Sequence, residues 1–238
     1  MWSPHLIDLT RPMTKQTGID LAGKMMAEPN PYGEVQVTYL RDWDTDNGRV
    51  CQLTLSDHFG THLDAPVHVV SPDAAGPDAV DIDRLIGEAV VLDCSFANGR
   101  GITADDLERA RPEVHHGDIV LIYSAEQPAT IDEYVLTQTY MTPSGAQWLV
   151  DKGVKTIGVE PFGFEHLYEG LEVAKHYSKE SPPPHWPAHQ IALGNNVYVI
   201  EGLGNLGSIV GKRVHFAAMP LAVPGASGSP VRAVAWEE

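Results

Sequence analysis

Three histidines and an aspartate crowd into one short segment, His58-Phe59-Gly60-Thr61-His62-Leu63-Asp64-Ala65-Pro66-Val67-His68. Neutral imidazole nitrogens and carboxylate oxygens are the donors a divalent ion such as zinc or manganese takes, provided several converge at about 2.0–2.2 Å from it. A lone histidine carries no such reading; three with an aspartate in a Gly/Pro-bounded stretch do. His58 and His62 stand at i and i+4, as in the helical motif of zinc proteases. That motif places a glutamate directly after its first histidine and holds both on a helix. Here Phe59 follows, and Gly60-Thr61 with Pro66 disfavour a helix. The His-x-His of a cupin is also missing. The segment reads as a strand end running into a structured loop, with Gly60 permitting tight backbone geometry and Pro66 stiffening it.

Other elements must hold this segment in place. Leu6 to Leu9 reads as a short strand before the Arg11-Pro12 turn, and residues 14–33 as a loop or weak helix. Val35 to Leu40 and Val50 to Ser56 are β-branched runs, a hairpin joined by the charged turn Asp42 to Gly48. Glu88 to Cys94, Ile119 to Tyr123 and Lys155 to Val159 are buried-type strands. Between them lie two helices, one opened by Thr103 as N-cap with acids in its first turns. The other starts at Thr142-Pro143-Ser144 and stops at Gly153. That alternation predicts an α/β layer with parallel pairing. Val197 to Ile200, Val214 to Val223 and Val231 to Trp236 are further strands with little helix between them. Residues 161–187 carry Phe162, Phe164, Tyr168, Tyr177, Trp186 and a triple proline. A loop that long and that aromatic reads as an active-site cover.

Composition excludes several classes. The chain has 238 residues with 43% hydrophobic and 20% charged, so it can bury a core without staples, and no linker or repeat breaks it: residues 1–238 read as a single domain. The net charge of −16 repels phosphate backbones and anionic lipid, so no nucleic acid and no membrane partner is expected. No apolar run approaches the ~20 residues of a membrane span, and no secretory leader opens the sequence. Two cysteines, Cys51 and Cys94, make no disulfide framework; each lies in an apolar strand-like run and reads as a buried free thiol. A cytoplasmic protein acting on a small molecule is the expectation.

The segment resembles a known family. His-x-Gly-Thr-His-x-Asp-x-Pro-x-His is the signature of the cyclase-like metal-dependent hydrolases, which include bacterial kynurenine formamidase and isatin hydrolase, and residues 58–68 match it throughout. Asp8-Leu9-Thr10-Arg11-Pro12 is similar to that family's opening strand and turn. Pro187-Ala188-His189 with Ile200-Glu201-Gly202-Leu203 is similar to its second ligand segment, and Gly228-Ser229-Pro230-Val231-Arg232-Ala233 to its closing strand. The resemblance implies the swivelling β/β/α fold with a mixed sheet, and a homodimer. It implies that His58, His62 and Asp64 hold one metal, that Asp64, His189 and Glu201 hold a second, and that His68 is the catalytic proton shuttle. Isatin hydrolases, by the same resemblance, lack the glutamate, so Glu201 favours two ions over one. Zinc and manganese both fit.

The activity implied is arylformamidase-like hydrolysis of a C–N bond, of the N-formylkynurenine type found in tryptophan catabolism. Two departures touch the pocket. Residues 12–20 lack the formamidase tryptophan, and Val159-Glu160-Pro161-Phe162-Gly163 with the long insertion replaces a short acidic stretch. A cyclic-amide, isatin-type hydrolase, a metal-dependent lyase or isomerase, and a metal-binding protein without turnover stay open beside it. Among lesser candidates, Asp57 could orient a ligand or be solvated, and core packing accounts for Asp93-Cys94. His115 and His116 should be exposed. Glu160, His166, His176 and His185 could touch substrate, with none singled out. Arg232 should pair with a buried carboxylate.

Overall fold

The computed structural model describes residues 5–13, 35–125, 138–166 and 186–237. Twelve strands are seen among them: β1 (Ile7–Asp8), β2 (Gln36–Arg41), β3 (Val50–Thr54), β4 (His62–Asp64), β5 (Ile86–Asp93), β6 (Gly101–Ile102), β7 (Ile119–Tyr123), β8 (Tyr140–Met141), β9 (Thr156–Val159), β10 (Tyr198–Glu201), β11 (Arg213–Pro220) and β12 (Gly228–Trp236). Their α-helices are α1 (Trp43–Asp46), α2 (Ala104–Arg109), α3 (Pro143–Lys152) and α4 (Pro187–Gly194).

One sheet dominates, in the order β1-β12-β11-β5-β7-β9-β10-β4, and a further pairing of β12 with β4 closes it into a barrel-like ring. β5, β7, β9 and β10 pair in parallel, whereas β4, β11 and β12 pair antiparallel with their neighbours. The parallel strands are the continuous apolar runs that sheets covered on both faces require. Val90, Val91, Leu92, Ile119, Val120, Leu121 and Ile157 are all fully enclosed. Helix α3 packs against both α2 and α4. The architecture is the mixed α/β arrangement expected, with the parallel half where strands and helices alternate in the sequence.

Local signals operate as read. The Thr103 hydroxyl accepts from the Asp106 N–H, and the Asp106 carboxylate accepts from the Thr103 N–H at 3.0 Å, a full capping box at the start of α2. Thr142 caps α3 with Pro143 at its first position, and Gly153 ends it at φ +73°.

Some expectations are corrected. Cys51 is exposed: among the described residues β2 and β3 pair with each other alone, and every residue of both strands faces solvent. Cys94 is buried as read, and burial pushes its thiol up to about 12. Asp93 is exposed and accepts from the N–H and hydroxyl of Ser95, so core packing is not its role. The charged turn after β2 contains α1, capped by Asp42. Arg232 pairs with Asp8, but that carboxylate is exposed rather than buried. Helix α4 falls where no helix was read. Residues 14–34 and 167–185, and with them most of the expected cover, His176 and His185, lie outside the described residues.

Candidate active site

β4 carries two of the four chemical residues of the signature. It lies between β10 and β12, with Glu201 opposite His62 in one register and Gly228 opposite Asp64 in the other. The closure of the ring therefore seats His62 and Asp64 where β10 delivers Glu201. Gly60, at φ +69°, turns the chain into the strand, a conformation that glycine takes without Cβ cost. Gly228 leaves room for His58: a Cβ there would stand 2.7 Å from Cε1 of that ring. Pro66 opens a single turn of 3-10 helix that ends at His68. The first turn of α4 brings in His189.

Asp64 is the centre. Its Oδ1 lies 2.7 Å from His58 Nδ1 and 3.4 Å from His62 Nε2, and its Oδ2 lies 3.4 Å from His189 Nε2. Glu201 adds Oε1 at 3.3 Å from His189 Nε2 and Oε2 at 3.7 Å from His62 Nε2. The Phe164 N–H donates to Glu201 Oε1 at 2.6 Å. Asp64, His62, His189 and Glu201 are all buried. The His68 ring centroid is 4.2 Å from that of His58 and 6.0 Å from that of His189, with an outer edge open to solvent.

The hydrogen bonds fix which ring nitrogen faces inward. His62 Nδ1 lies 2.9 Å from the Gly60 carbonyl, which can only accept, so Nδ1 carries the proton and Nε2 faces the centre bare. Ser227 donates its hydroxyl proton to Asp57 Oδ2 at 2.9 Å, so it accepts from His58 Nε2 at 2.9 Å and leaves His58 Nδ1 bare. With neutral rings, lone pairs of imidazole would meet lone pairs of carboxylate, so a cation or protons must lie between them. Asp64 Oδ1 is buried without an aligned donor, in spite of the short approach of His58. An orphaned buried carboxylate oxygen among inward-facing nitrogens is a site shaped for positive charge.

The proton affinities express the same demand for positive charge, met by a second proton on the buried rings. Burial opposes the charged form of His62, yet the hydrogen bond and charge of Asp64, with the charge of Glu201, raise it to about 9. Burial likewise opposes the charged form of His189, which Asp64, Glu165 and Glu201 together raise well above its usual value. Burial would raise Asp64, but His189, His58 and His62 hold it well below the carboxylate range. His68 moves the other way: burial of its inner edge, with repulsion from His58 and His189, lowers it against the pull of Asp64 and Glu201.

Donor atoms of His62, Asp64 and Glu201 lie within 4.8 Å of one another, and so do those of His58, Asp64 and His68. The grouping crosses the division implied by resemblance, with Asp64 shared either way. Among the lesser candidates, Asp57 reaches His58 only through Ser227, its own carboxylate lying 3.9 Å from the ring. Buried Glu160 accepts from the Ser124 N–H and hydroxyl and the Ala125 N–H, tying the ends of β7 and β9. His166 stacks edge-on against Tyr140, and His115 and His116 are exposed.

Two participants escaped the sequence reading. Ser227 sits in the turn before β12, 169 residues from His58, and only ring closure joins them. Glu165 takes His189 Nδ1 at 2.6 Å and the Ala188 N–H at 2.7 Å. Neither obeys a spacing rule; the one available signal for Glu165 was an acid in an otherwise aromatic stretch.

A family model described as "Putative cyclase" matches residues 7–166. The chain belongs to the cyclase family. Within this cyclase family, it is 30% identical over 208 residues to a kynurenine formamidase of Geobacillus thermodenitrificans, covering 84% of this chain and 88% of that protein. To an isatin hydrolase of Roseibium aggregatum it is 25% identical over 222 residues, covering 85% and 81%. A crystal structure of an isatin hydrolase bound to the product analogue thioisatinate matches with a TM-score of 0.77 at 24% identity, covering 97% of this chain and 91% of that one, which establishes the shared fold.

Proposed function

We propose that this cyclase-family chain is a metal-dependent hydrolase that cleaves the C–N bond of a small aromatic amide, in the manner of an arylformamidase. The observation that carries this is the buried Asp64 carboxylate, its Oδ1 unsatisfied, ringed by the inward nitrogens of His58, His62 and His189 and by Glu201. Those five residues fit one or two divalent ions, zinc or manganese, with Asp64 common to both positions. A cation held there would polarise the carbonyl oxygen and lower the pKa of water from 15.7 towards ~7.

The chain's own residues supply the rest. His68 faces the site with a neutral ring at pH 7, so it can accept a proton from the attacking water at a ring nitrogen. The same nitrogen returns the proton to the departing amine nitrogen. Its open outer edge lets it reach both substrate and solvent, which the buried histidines cannot. Two aromatic rings flank His189 edge-on: part-exposed Trp186 at 6.1 Å and, behind it in the core, buried Phe164 at 5.2 Å. Flat aromatic substrates suit such walls.

A cyclic amide of the isatin type is the second reading, favoured by the likeness to an isatin hydrolase over 85% of this chain. Wild-type protein assayed with an aryl formamide and with isatin, alongside elemental analysis, tests both. Turnover of neither substrate by a metal-loaded preparation would defeat hydrolysis of this class and raise the lyase reading.

The same proposal includes a homodimer in the cytoplasm. The β2–β3 hairpin supports the dimer: two strands alone are marginal in water, and Tyr39, Leu40, Trp43 and Leu53 stand more than half exposed on it. Free cysteines, one of them exposed, suit a reducing compartment, and among the described residues no helix is long and apolar enough to cross a membrane.

A further inference from the structure

The outer partners of the three inward-facing imidazoles differ in kind. His62 has a peptide carbonyl and His58 a serine hydroxyl, whereas His189 has a buried carboxylate, Glu165. We infer that Glu165 is a positioning residue that holds His189 with Nδ1 protonated and Nε2 turned to the centre, and that it makes this imidazole the strongest nitrogen ligand of the site. The inference rests on the metal-binding reading above and adds a residue to it.

The geometry is specific. Glu165 Oε2 lies 2.6 Å from His189 Nδ1, while Nε2 of the same ring stands 3.4 Å from Asp64 and 3.3 Å from Glu201. A carboxylate can only accept, so the Nδ1 proton is committed outward. Partial transfer of that proton's charge makes the opposite nitrogen a better donor to a cation, an effect a neutral carbonyl gives more weakly. Glu165 also caps the start of α4, accepting from the Ala188 N–H through Oε1 at 2.7 Å and from the His189 N–H through Oε2 at 3.4 Å. The shortest of its three bonds is still the one to the ring, at 2.6 Å.

Glutamine is the informative replacement, because its amide must present NH2 either to the Ala188 N–H or to His189 Nδ1. The second choice reverses the ring's tautomer and caps Nε2 with a proton. The test uses the full chain and zinc alone. Glu165→Gln should melt below the wild type when metal-free, having lost a buried charge beside α4 and His189, and at a temperature where both are folded it should bind zinc about 10–100-fold more weakly in competition with a chelator. Glu165→Asp, which keeps the charge, should recover part of the loss. In zinc-loaded wild type, nitrogen NMR of the His189 ring should show a protonated Nδ1 and a liganded Nε2. Unchanged zinc affinity in Glu165→Gln overturns the inference, and so does zinc on Nδ1 in the wild type. Should the glutamine variant not fold, the wild-type spectrum alone decides. A wild type that binds zinc while either overturning result holds leaves the hydrolase reading standing; a wild type that binds none removes both.

Discussion

Residues 50–54 and residues 58–66 adjoin in sequence and differ in everything that surrounds them. Among the described residues, each residue of β3 is exposed and pairs with β2 alone; each residue of β4 is buried, flanked by β10 on one side and β12 on the other. Both stretches carry the apolar content of strands. The difference shows that pattern sets which residues can be buried, whereas topology sets which ones are. The site lies in the stretch with two neighbours because a buried carboxylate needs its partners supplied from several elements at once. Among the described residues nothing covers the hairpin, and the proposed dimer rests on that face.

That contrast can be broken at its most enclosed point first. Asp64→Asn should strip the protein of metal and lower activity by more than the ~10–100-fold that loss of an outer partner costs, as read by elemental analysis and turnover. Retention of metal by that variant would remove Asp64 from the centre. His68→Ala should lower turnover by ~10²–10⁴-fold with metal content unchanged. A parallel fall in metal would make His68 a ligand with His58 and Asp64, a grouping their proximity allows.

On the exposed side, Leu53→Lys should weaken self-association about 30-fold or more in sedimentation, the effect of losing ~2 kcal/mol at an interface hot spot, without lowering the melting temperature of the monomer. A wild type that sediments as a monomer at every concentration would deny the hairpin this role.

The smallest effect belongs to α2, remote from both regions. Thr103→Ala should cost about 1 kcal/mol as a lost cap. Hydrogen bonding from Arg100, against burial and with help from Thr103, holds Asp106 below its usual carboxylate range. A carboxyl depressed in the folded state adds stability in full above its unfolded pKa of about 3.9 and loses it as pH falls through the folded value. Asp106→Asn should therefore melt below the wild type at neutral pH, and the gap should close on acidification below about pH 4.

Much of the fold was legible because local signals agreed with the final packing. Thr103, Thr142, Gly153 and the apolar runs at 88–94, 119–123 and 155–159 mark elements that the structure contains. The signature at 58–68 was equally plain, since its residues act within one segment. Cys51 shows the limit: its strand was visible, but its exposure among the described residues was not. Glu165 and Ser227 show another. Their partners lie 24 and 169 residues away; the packing of α4, between β9 and β10 in the chain, decides the first contact and ring closure the second, and no spacing encodes either.

The seam between β4 and β12 has a consequence for synthesis. Residues 228–230 complete the edge of β4, and Ser227 sets the orientation of His58, so the centre waits for a strand translated long after His58, His62 and Asp64 and after His189 and Glu201 as well. Until then the growing chain displays three imidazoles and an aspartate with no scaffold to order them. Metal capture should consequently be a late event, coupled to completion of the ring, and a chain lacking β12 should remain metal-poor however well its parallel half folds.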